Sequence, residues 1–409
     1  MKRRVVITGI GVISPLGRTV EFFWDGIRAG KNGISRISTF DTTSYGKHFG
    51  GEIKGPPLNE LMMRRDLRAY GRASQLAIIA AQQALADSGL MGVLTSQKEI
   101  RSRVGVIIGT TFGESQILER ANELLVMGQN SGDELDSRGR LDQYRPNSLS
   151  VNIGKQFGLA GPNYVVPTAC AAGNYAISLG TSLIKSGKAD AVLVGGSDPF
   201  SKVAFSGFSR LGVMAENRCQ PFDKNRKGML VGEGAGVLIL EERNSALARG
   251  AKLYAEVLGY GLSCDASHMT IPRAEGMISA IEHSLRNAGL VPQDVDYVSA
   301  HGTGTLANDK MESQAIRTVF YNRGNSVPVS SIKSMMGHLM GAASAVEAIA
   351  CVLAIKHGEI PPTANYETPD PECGIDCVPN LARKKDLRIV LNNAFAFGGI
   401  NACLVIGKG

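Results

Sequence analysis

The chain predicts a duplicated α/β fold, with two sheets packed against shared central helices, and three features of its 409 residues carry that expectation. Short, unbroken apolar runs such as Val104-Gly105-Val106-Ile107-Ile108-Gly109 and Ala191-Val192-Leu193-Val194-Gly195-Gly196 suit strands covered on both faces. Helical patterns separate these runs, which favours helices layered on sheets. After about residue 250 the order starts again: Ala255–Gly261 echoes Val5–Gly11, and Asp296–Thr303 echoes Val104–Thr111. The expected division is an N-terminal half over 1–250 and a C-terminal half over 251–409.

In chain order, residues 4–14 read as a buried strand and a glycine-broken turn. The basic start, Met1-Lys2-Arg3-Arg4, resembles a signal peptide only superficially, because Gly9, Gly11 and Pro15 soon interrupt its apolar stretch. Glu21–Ala29 reads as a helix, and 30–58 as a surface excursion rich in Gly, Ser, Thr and Pro. From Leu58 to Ser88 a helical pattern places Ile78, Ala81 and Leu85 on one side and ends at Gly89. Its first turns carry Arg64, Arg65, Arg68 and Arg72, which at helical spacing form either a docking patch or a solvated face.

Residues 112–148 are polar, charged and partly helical. The β-branched run Val165-Val166 then breaks at Pro167, and small residues carry the chain past Cys170 into a helix ending near Ser186. Gly232-Glu233-Gly234-Ala235-Gly236 looks like a phosphate loop, but it lacks the Lys-Ser/Thr ending and runs into a strand, Val237–Leu240. The closing loop Asn393–Asn401 leads into a last strand, Ala402–Ile406.

Composition narrows the class. With 44% hydrophobic and 20% charged residues the chain can bury a large core, and no apolar run reads as long enough to span a bilayer. Seven scattered cysteines argue for reduced thiols and a cytoplasmic setting. Cys373 and Cys377 are spaced like half of a metal site, yet no second pair completes it, so packing is the better reading. A net charge of +7 suits an acidic partner. Nucleic acid is one candidate, but the basic residues are dispersed, aromatics are few and no recognition motif appears, so an acidic protein or an anionic small molecule fits at least as well.

Three side chains point to chemistry. Cys170, on a strand-to-helix turn, meets the unpaired N–H groups and positive dipole end that favour a thiolate. His301 lies in His301-Gly302-Thr303-Gly304-Thr305 and His338 in Lys333–Ala343, each after a strand-like segment and beside small residues that would let a substrate approach. One sulfur to hold an acyl group and two imidazoles to stabilise charge on a thioester oxygen suit carbon–carbon bond formation.

At these residues the sequence resembles the β-ketoacyl-acyl-carrier-protein synthases, condensing enzymes of the thiolase superfamily. The likeness runs from Val5–Gly11 through Pro167–Cys170, Gly232–Gly236, His301–Thr305 and Lys333–Ala343 to Asn393–Asn401. It implies a thiolase-like, five-layered αβαβα fold with two mixed sheets around central helices. It also implies an acyltransferase that joins an enzyme-bound acyl group to malonyl-acyl-carrier-protein with loss of carbon dioxide, as in fatty-acid elongation. Cys170 would be the nucleophile, and its N–H with that of Phe397 would form the oxyanion hole. His301 and His338 would bind the extender carbonyl. Lys333 would pair with Glu312, supported by Asp309, to set the electrostatics around His338.

The resemblance further makes Phe397 a gate and Phe395 part of the substrate wall. Thr303, Thr305 and Thr270 would bind the phosphopantetheine arm, and Arg64, Arg65, Arg68 and Arg210 would dock an acidic acyl carrier protein. It calls for no metal and no redox cofactor, the substrates riding on the carrier's phosphopantetheine, and for a homodimer, with a heterodimer of related subunits as the alternative. Ala171–Tyr175, Ile400 and 112–148 depart from the plainest fatty-acid enzyme. A stand-alone ketosynthase of polyketide or specialised lipid synthesis therefore stays open, as does a non-elongating partner subunit, although the retained Cys170 speaks against the latter. A degradative thiolase would carry a second cysteine where Phe395 and Phe397 stand.

Overall fold

The computed structural model describes residues 3–56, 58–61, 67–127, 141–320 and 326–409. Its main sheet has five strands from the first part of the chain: β1 (Val5–Ile13), β2 (Val104–Gly109), β3 (Asn163–Val166), β4 (Ala191–Asp198) and β5 (Gly234–Glu242). Five more follow: β6 (Ala255–Cys264), β7 (Tyr297–Ser299), β8 (Val329–Ser330), β9 (Ile389–Ala396) and β10 (Ile400–Lys408). The order across the sheet is β8-β7-β9-β10-β6-β1-β5-β4-β2-β3.

Both sets obey one pattern. β2 runs parallel to β3 and β4, and β5 antiparallel to β4 and β1. In the same way β7 runs parallel to β8 and β9, and β10 antiparallel to β9 and β6. The echoes in the sequence are therefore structural equivalences, β1 with β6 and β2 with β7. The sequence leads one to expect two separate sheets, but the sets meet edge to edge, β1 pairing with β6 at Val6 with Glu256 and Ile7 with Ala255. Strand twist limits the join to that short length.

Among the described residues the longer helices are α1 (Val20–Arg28), α2 (Arg72–Asp87), α3 (Ser115–Val126), α4 (Ser148–Phe157), α5 (Ala172–Lys185), α6 (Lys202–Arg210), α7 (Ala274–Ala288), α8 (Leu306–Val319) and α9 (Ala343–His357). α5 and α9 pack on each other between the two strand sets, α2 and α4 cover the first set, and α7 and α8 cover the second. Five layers result. Every residue of α9 from Ala343 to Ile355 is buried, because sheet lies on both sides of it. The stretch Met340–His357 is in fact long and apolar enough to cross a membrane, contrary to the expectation from sequence, but it is almost wholly buried as this central helix.

Glycines let the outer helices lie directly on the strands, and the duplication shows there too. A Cβ on Gly11 of β1 would stand 2.0 Å from the Ala80 carbonyl oxygen of α2, and one on Gly261 of β6 would stand 2.0 Å from the Ala280 oxygen of α7. Gly261→Ala therefore has to push α7 off the sheet, at a cost of about 2–3 kcal/mol. Urea denaturation reads this as a lowered midpoint; an unchanged midpoint would mean that α7 slides without loss.

The helix expected over 58–88 is shorter. Leu58–Leu61 forms a 3-10 turn, residues 62–66 lie outside the described residues, and Gly71 is extended, so that α2 begins at Arg72. Its first turn is capped from a distance: the Glu114 carboxylate accepts the N–H groups of Ala73 and Ser74 at 3.1 and 2.7 Å. Arg72 joins no exposed basic face. It turns inward and forms a two-point ion pair with Glu233 at 3.1 and 2.7 Å.

Candidate active site

β3 stops where Pro167 lacks the N–H a further ladder bond requires, and Ala169 turns the chain at φ +48°. A single 3-10 turn, Ala169–Ala171, leads into α5, so Cys170 sits against the helix N-terminus. The second half repeats this turn. Met340 has φ +52°, and Met340–Ala342 opens α9. Left-handed backbone at a residue with a side chain is strained and persists where the surroundings impose it. By this duplication Gly341 stands where Cys170 stands, and His338 lies just upstream of it.

His301 follows β7. Its own N–H and that of Gly302 donate to the two oxygens of Glu312, on α8, at 2.7 Å each. His338 is held by backbone: its N–H donates to the Leu230 oxygen at 2.7 Å, and its oxygen accepts from Gly232 at 2.9 Å. One nitrogen of each imidazole and the Cys170 Sγ all lie within 4.8 Å of one another. The ring centroids are 5.3 Å apart at an interplanar angle of 80°.

Hydrogen bonds assign the tautomers. Nδ1 of His338 accepts the Met340 N–H at 3.1 Å, which leaves the proton on Nε2. That buried Nε2 has no partner among the described residues. Nδ1 of His301 faces the Lys333 ammonium at 3.4 Å, so its proton also belongs on Nε2. Burial, and then the Lys333 charge, hold both imidazoles well below the usual histidine range and therefore neutral.

The sequence suggested a thiolate at Cys170. Instead, burial pushes the thiol up to about 12, against the pull of Lys333, so the sulfur rests protonated. Four alanines, Ala171, Ala394, Ala396 and Ala402, pack around it.

Lys333 also differs from expectation. Its Nζ pairs with Glu347 of α9 and donates to the His301 carbonyl at 2.6 Å. Both side chains of the pair are 1% exposed, and such an acid is tolerable only beside its cation. Glu312 is thus the anchor of the His301 loop and not the partner of Lys333. Asp309 is engaged elsewhere, accepting from the N–H groups of Phe222 and Gly304 at 2.8 and 3.2 Å, with Arg226 at 3.8 Å. Lys333 contacts His301, not His338.

Sequence reasoning missed two acids. Glu347 left a signal, being the one charge within the apolar stretch Ala343–Ile355. Asp198, at the end of β4, accepts N–H groups of Thr111, Phe112 and Gly341 at 2.8, 2.8 and 2.7 Å, so that it ties the second turn to the first half. Burial raises its carboxyl to about 6 against those bonds.

A cleft leads from solvent to Cys170, His301 and His338, and Thr303, Thr305, Thr270, Phe395 and Phe397 line it. The Thr303 and Thr305 hydroxyls bond each other at 2.8 Å. Phe397 opens a turn in which Gly398 and Gly399 have φ +83° and +70°, and its ring lies 6.0 Å from that of Phe208. Gly398 donates to the Met269 oxygen at 2.7 Å, and the Gly399 oxygen accepts from the Asp265 N–H at 2.8 Å and from the Asn401 side-chain amide at 3.1 Å, which holds the turn.

Residues 2–246 match the family model "Beta-ketoacyl synthase, N-terminal domain", and residues 254–367 match "Beta-ketoacyl synthase, C-terminal domain". The chain belongs to the β-ketoacyl synthase family. This synthase is 41% identical to nodulation protein E of Rhizobium sp. (strain N33), over 99% of both chains. It is 39% identical to 3-oxoacyl-[acyl-carrier-protein] synthase 2 of Synechocystis sp., over 100% of this chain and 98% of the other. Among solved structures it matches the ishigamide ketosynthase/chain length factor at 43% identity and a TM-score of 0.93, over 100% of both chains. The fold is therefore thiolase-like, with the difference in sheet continuity described above. Of the four arginines assigned to carrier docking, Arg68 and Arg210 are exposed, whereas Arg64 and Arg65 lie outside the described residues.

Proposed function

We propose that this synthase elongates acyl chains by decarboxylative Claisen condensation with malonyl-acyl-carrier-protein, as in fatty-acid synthesis. The observation that carries this reading is the meeting of one thiol and two neutral, Nε2-protonated imidazoles at the base of the cleft. Neither histidine turns a free lone pair to the sulfur, so neither suits the role of base. The N-terminus of α5 stabilises the thiolate character that develops as the sulfur attacks.

In the first half-reaction Cys170 Sγ bonds to the acyl carbonyl carbon, and the oxyanion is held by the N–H groups of Cys170 and Phe397. The carrier thiol leaves with the proton that Cys170 gave up. In the second, the Nε2–H groups of His301 and His338 donate to the malonyl thioester oxygen. The bond to the terminal carboxylate breaks, carbon dioxide departs, and its electron pair becomes the enolate. The enolate carbon attacks the acyl-cysteine carbonyl, the new carbon–carbon bond forms, the carbon–sulfur bond breaks, and the released Cys170 thiolate takes a proton from water to return as the resting thiol. Burial and the charge of Lys333 keep the imidazoles neutral, and Lys333, itself held by Glu347, orients His301 through its carbonyl. The substrates bring their own phosphopantetheine, so no further cofactor is required.

The reading places the protein in the cytoplasm, with Arg68 and Arg210 at the dock of an acidic carrier protein. It also places it in a homodimer, supported by β3, which ends the sheet with Tyr164 47% exposed and offers an edge for a second subunit. The likeness to a ketosynthase/chain length factor favours one further reading, polyketide synthesis with a related subunit on that edge. Intact-mass spectrometry with acyl-carrier-protein thioesters tests the proposal. The enzyme gains the acyl mass, then loses it when malonyl-carrier-protein is added; an adduct that persists would sink the condensing function.

A further inference from the structure

Among the described residues that line the cleft, Lys227 is the one lysine, arginine, aspartate or glutamate. It is exposed, and no ion pair with a described residue claims its ammonium. Its backbone is nevertheless fixed on both sides. Arg226 turns inward, donates to the Asp223 oxygen at 2.8 Å and pairs with Asp370. Gly228 donates to the Gly304 oxygen at 2.9 Å, with φ +130° and a Cβ position 2.2 Å from the Val213 oxygen, so no other residue fits there. Lys227 is thereby pinned beside the Thr303-Gly304-Thr305 loop.

Across the chain from it, the 264–272 segment brings a second donor to the same cleft. Nδ1 of His268 accepts the N–H groups of Thr270 and Ile271 at 3.0 and 3.1 Å, which places its proton on Nε2, the nitrogen left for a ligand. His268 is exposed and lines the cleft with Thr270. An ammonium and an N–H donor, opposed to no carboxylate among the described residues of the cleft wall, suit an oxyanion.

We propose that Lys227 and His268 form the phosphodiester subsite at the mouth of the cleft, gripping the phosphate of the pantetheine arm while Thr303 and Thr305 hold its deeper portion. The subsite rests on the condensing function above, and it makes Lys227 a determinant of specificity for phosphorylated pantetheine. Free pantetheine thioesters separate this contact from docking of the carrier's protein surface, since they carry no protein.

Acylation of Cys170 is followed by intact mass with octanoyl-4′-phosphopantetheine and with octanoyl-pantetheine. The wild type favours the phosphorylated thioester about fivefold, through KM, as expected for an exposed charge-assisted contact. Lys227→Met brings the ratio to about one, Lys227→Arg restores it, Lys227→Glu inverts it, and His268→Ala reduces it. A ratio that Lys227→Met leaves unchanged overturns the subsite, as does a wild type that acylates at equal rates with both. A wild type that neither thioester acylates overturns the condensing function itself.

Discussion

Cys170→Ala leaves no acyl-enzyme in the mass spectrum and lowers condensation by at least about 10⁴-fold, the loss typical when a covalent nucleophile is removed. The change is small in volume, because the sulfur already packs against the methyl groups of Ala171, Ala394, Ala396 and Ala402, so the fold survives and the loss reads as chemistry. Decarboxylation of malonyl-carrier-protein, assigned in the proposed mechanism to the two imidazoles and not to the sulfur, continues in this variant. The assignment fails if a stable acyl adduct still forms, for another nucleophile would then serve. Because the resting group is a thiol raised to about 12, alkylation of Cys170 in the wild type accelerates steadily from pH 7 to pH 10 as the thiolate fraction grows.

His338→Ala and His301→Ala each slow malonyl decarboxylation by about 10²–10³-fold, the usual effect of losing one preorganised donor to a developing oxyanion. Acylation of Cys170 persists in both, since the proposed oxyanion hole for that step is built from backbone N–H groups. His338→Ala is the cleaner variant: it removes an Nε2–H that no described residue uses and leaves the Lys333–Glu347 pair intact. In His301→Ala the Lys333 ammonium keeps its bond to the residue 301 carbonyl but loses the ring that it faced at 3.4 Å. Separate assays of carbon dioxide release and acyl transfer decide the division of labour. Loss of acylation with decarboxylation intact would reverse it.

Much of this was legible one segment at a time. Unbroken apolar runs marked β2 and β4 because a strand covered on both faces has no polar side to show. The duplication showed because β1 and β6 face the same constraint, glycines at the positions where a helix backbone presses on the strand. Cys170 stood out because a proline-ended strand followed by small residues makes a local turn. Pairings between distant segments were hidden. Nothing in the sequence separates Glu312 from Glu347 as the acid for Lys333; Glu312 is taken up by the His301 loop, and Glu347 reaches Lys333 because α9 packs beside it. Likewise no local pattern announces that Glu114 caps α2 or that Arg72 turns in to Glu233.

The order of residues alone determined the doubled α/β plan and the identity of the sulfur and the two imidazoles, because periodicity, turn chemistry and residue type act over a few neighbours. Only the tertiary structure decided which acid neutralises Lys333, which imidazole nitrogen keeps its proton, and that Cys170 rests as a thiol. Each of those outcomes depends on burial and on the field of groups far away in the chain, and neither quantity exists until the layers close.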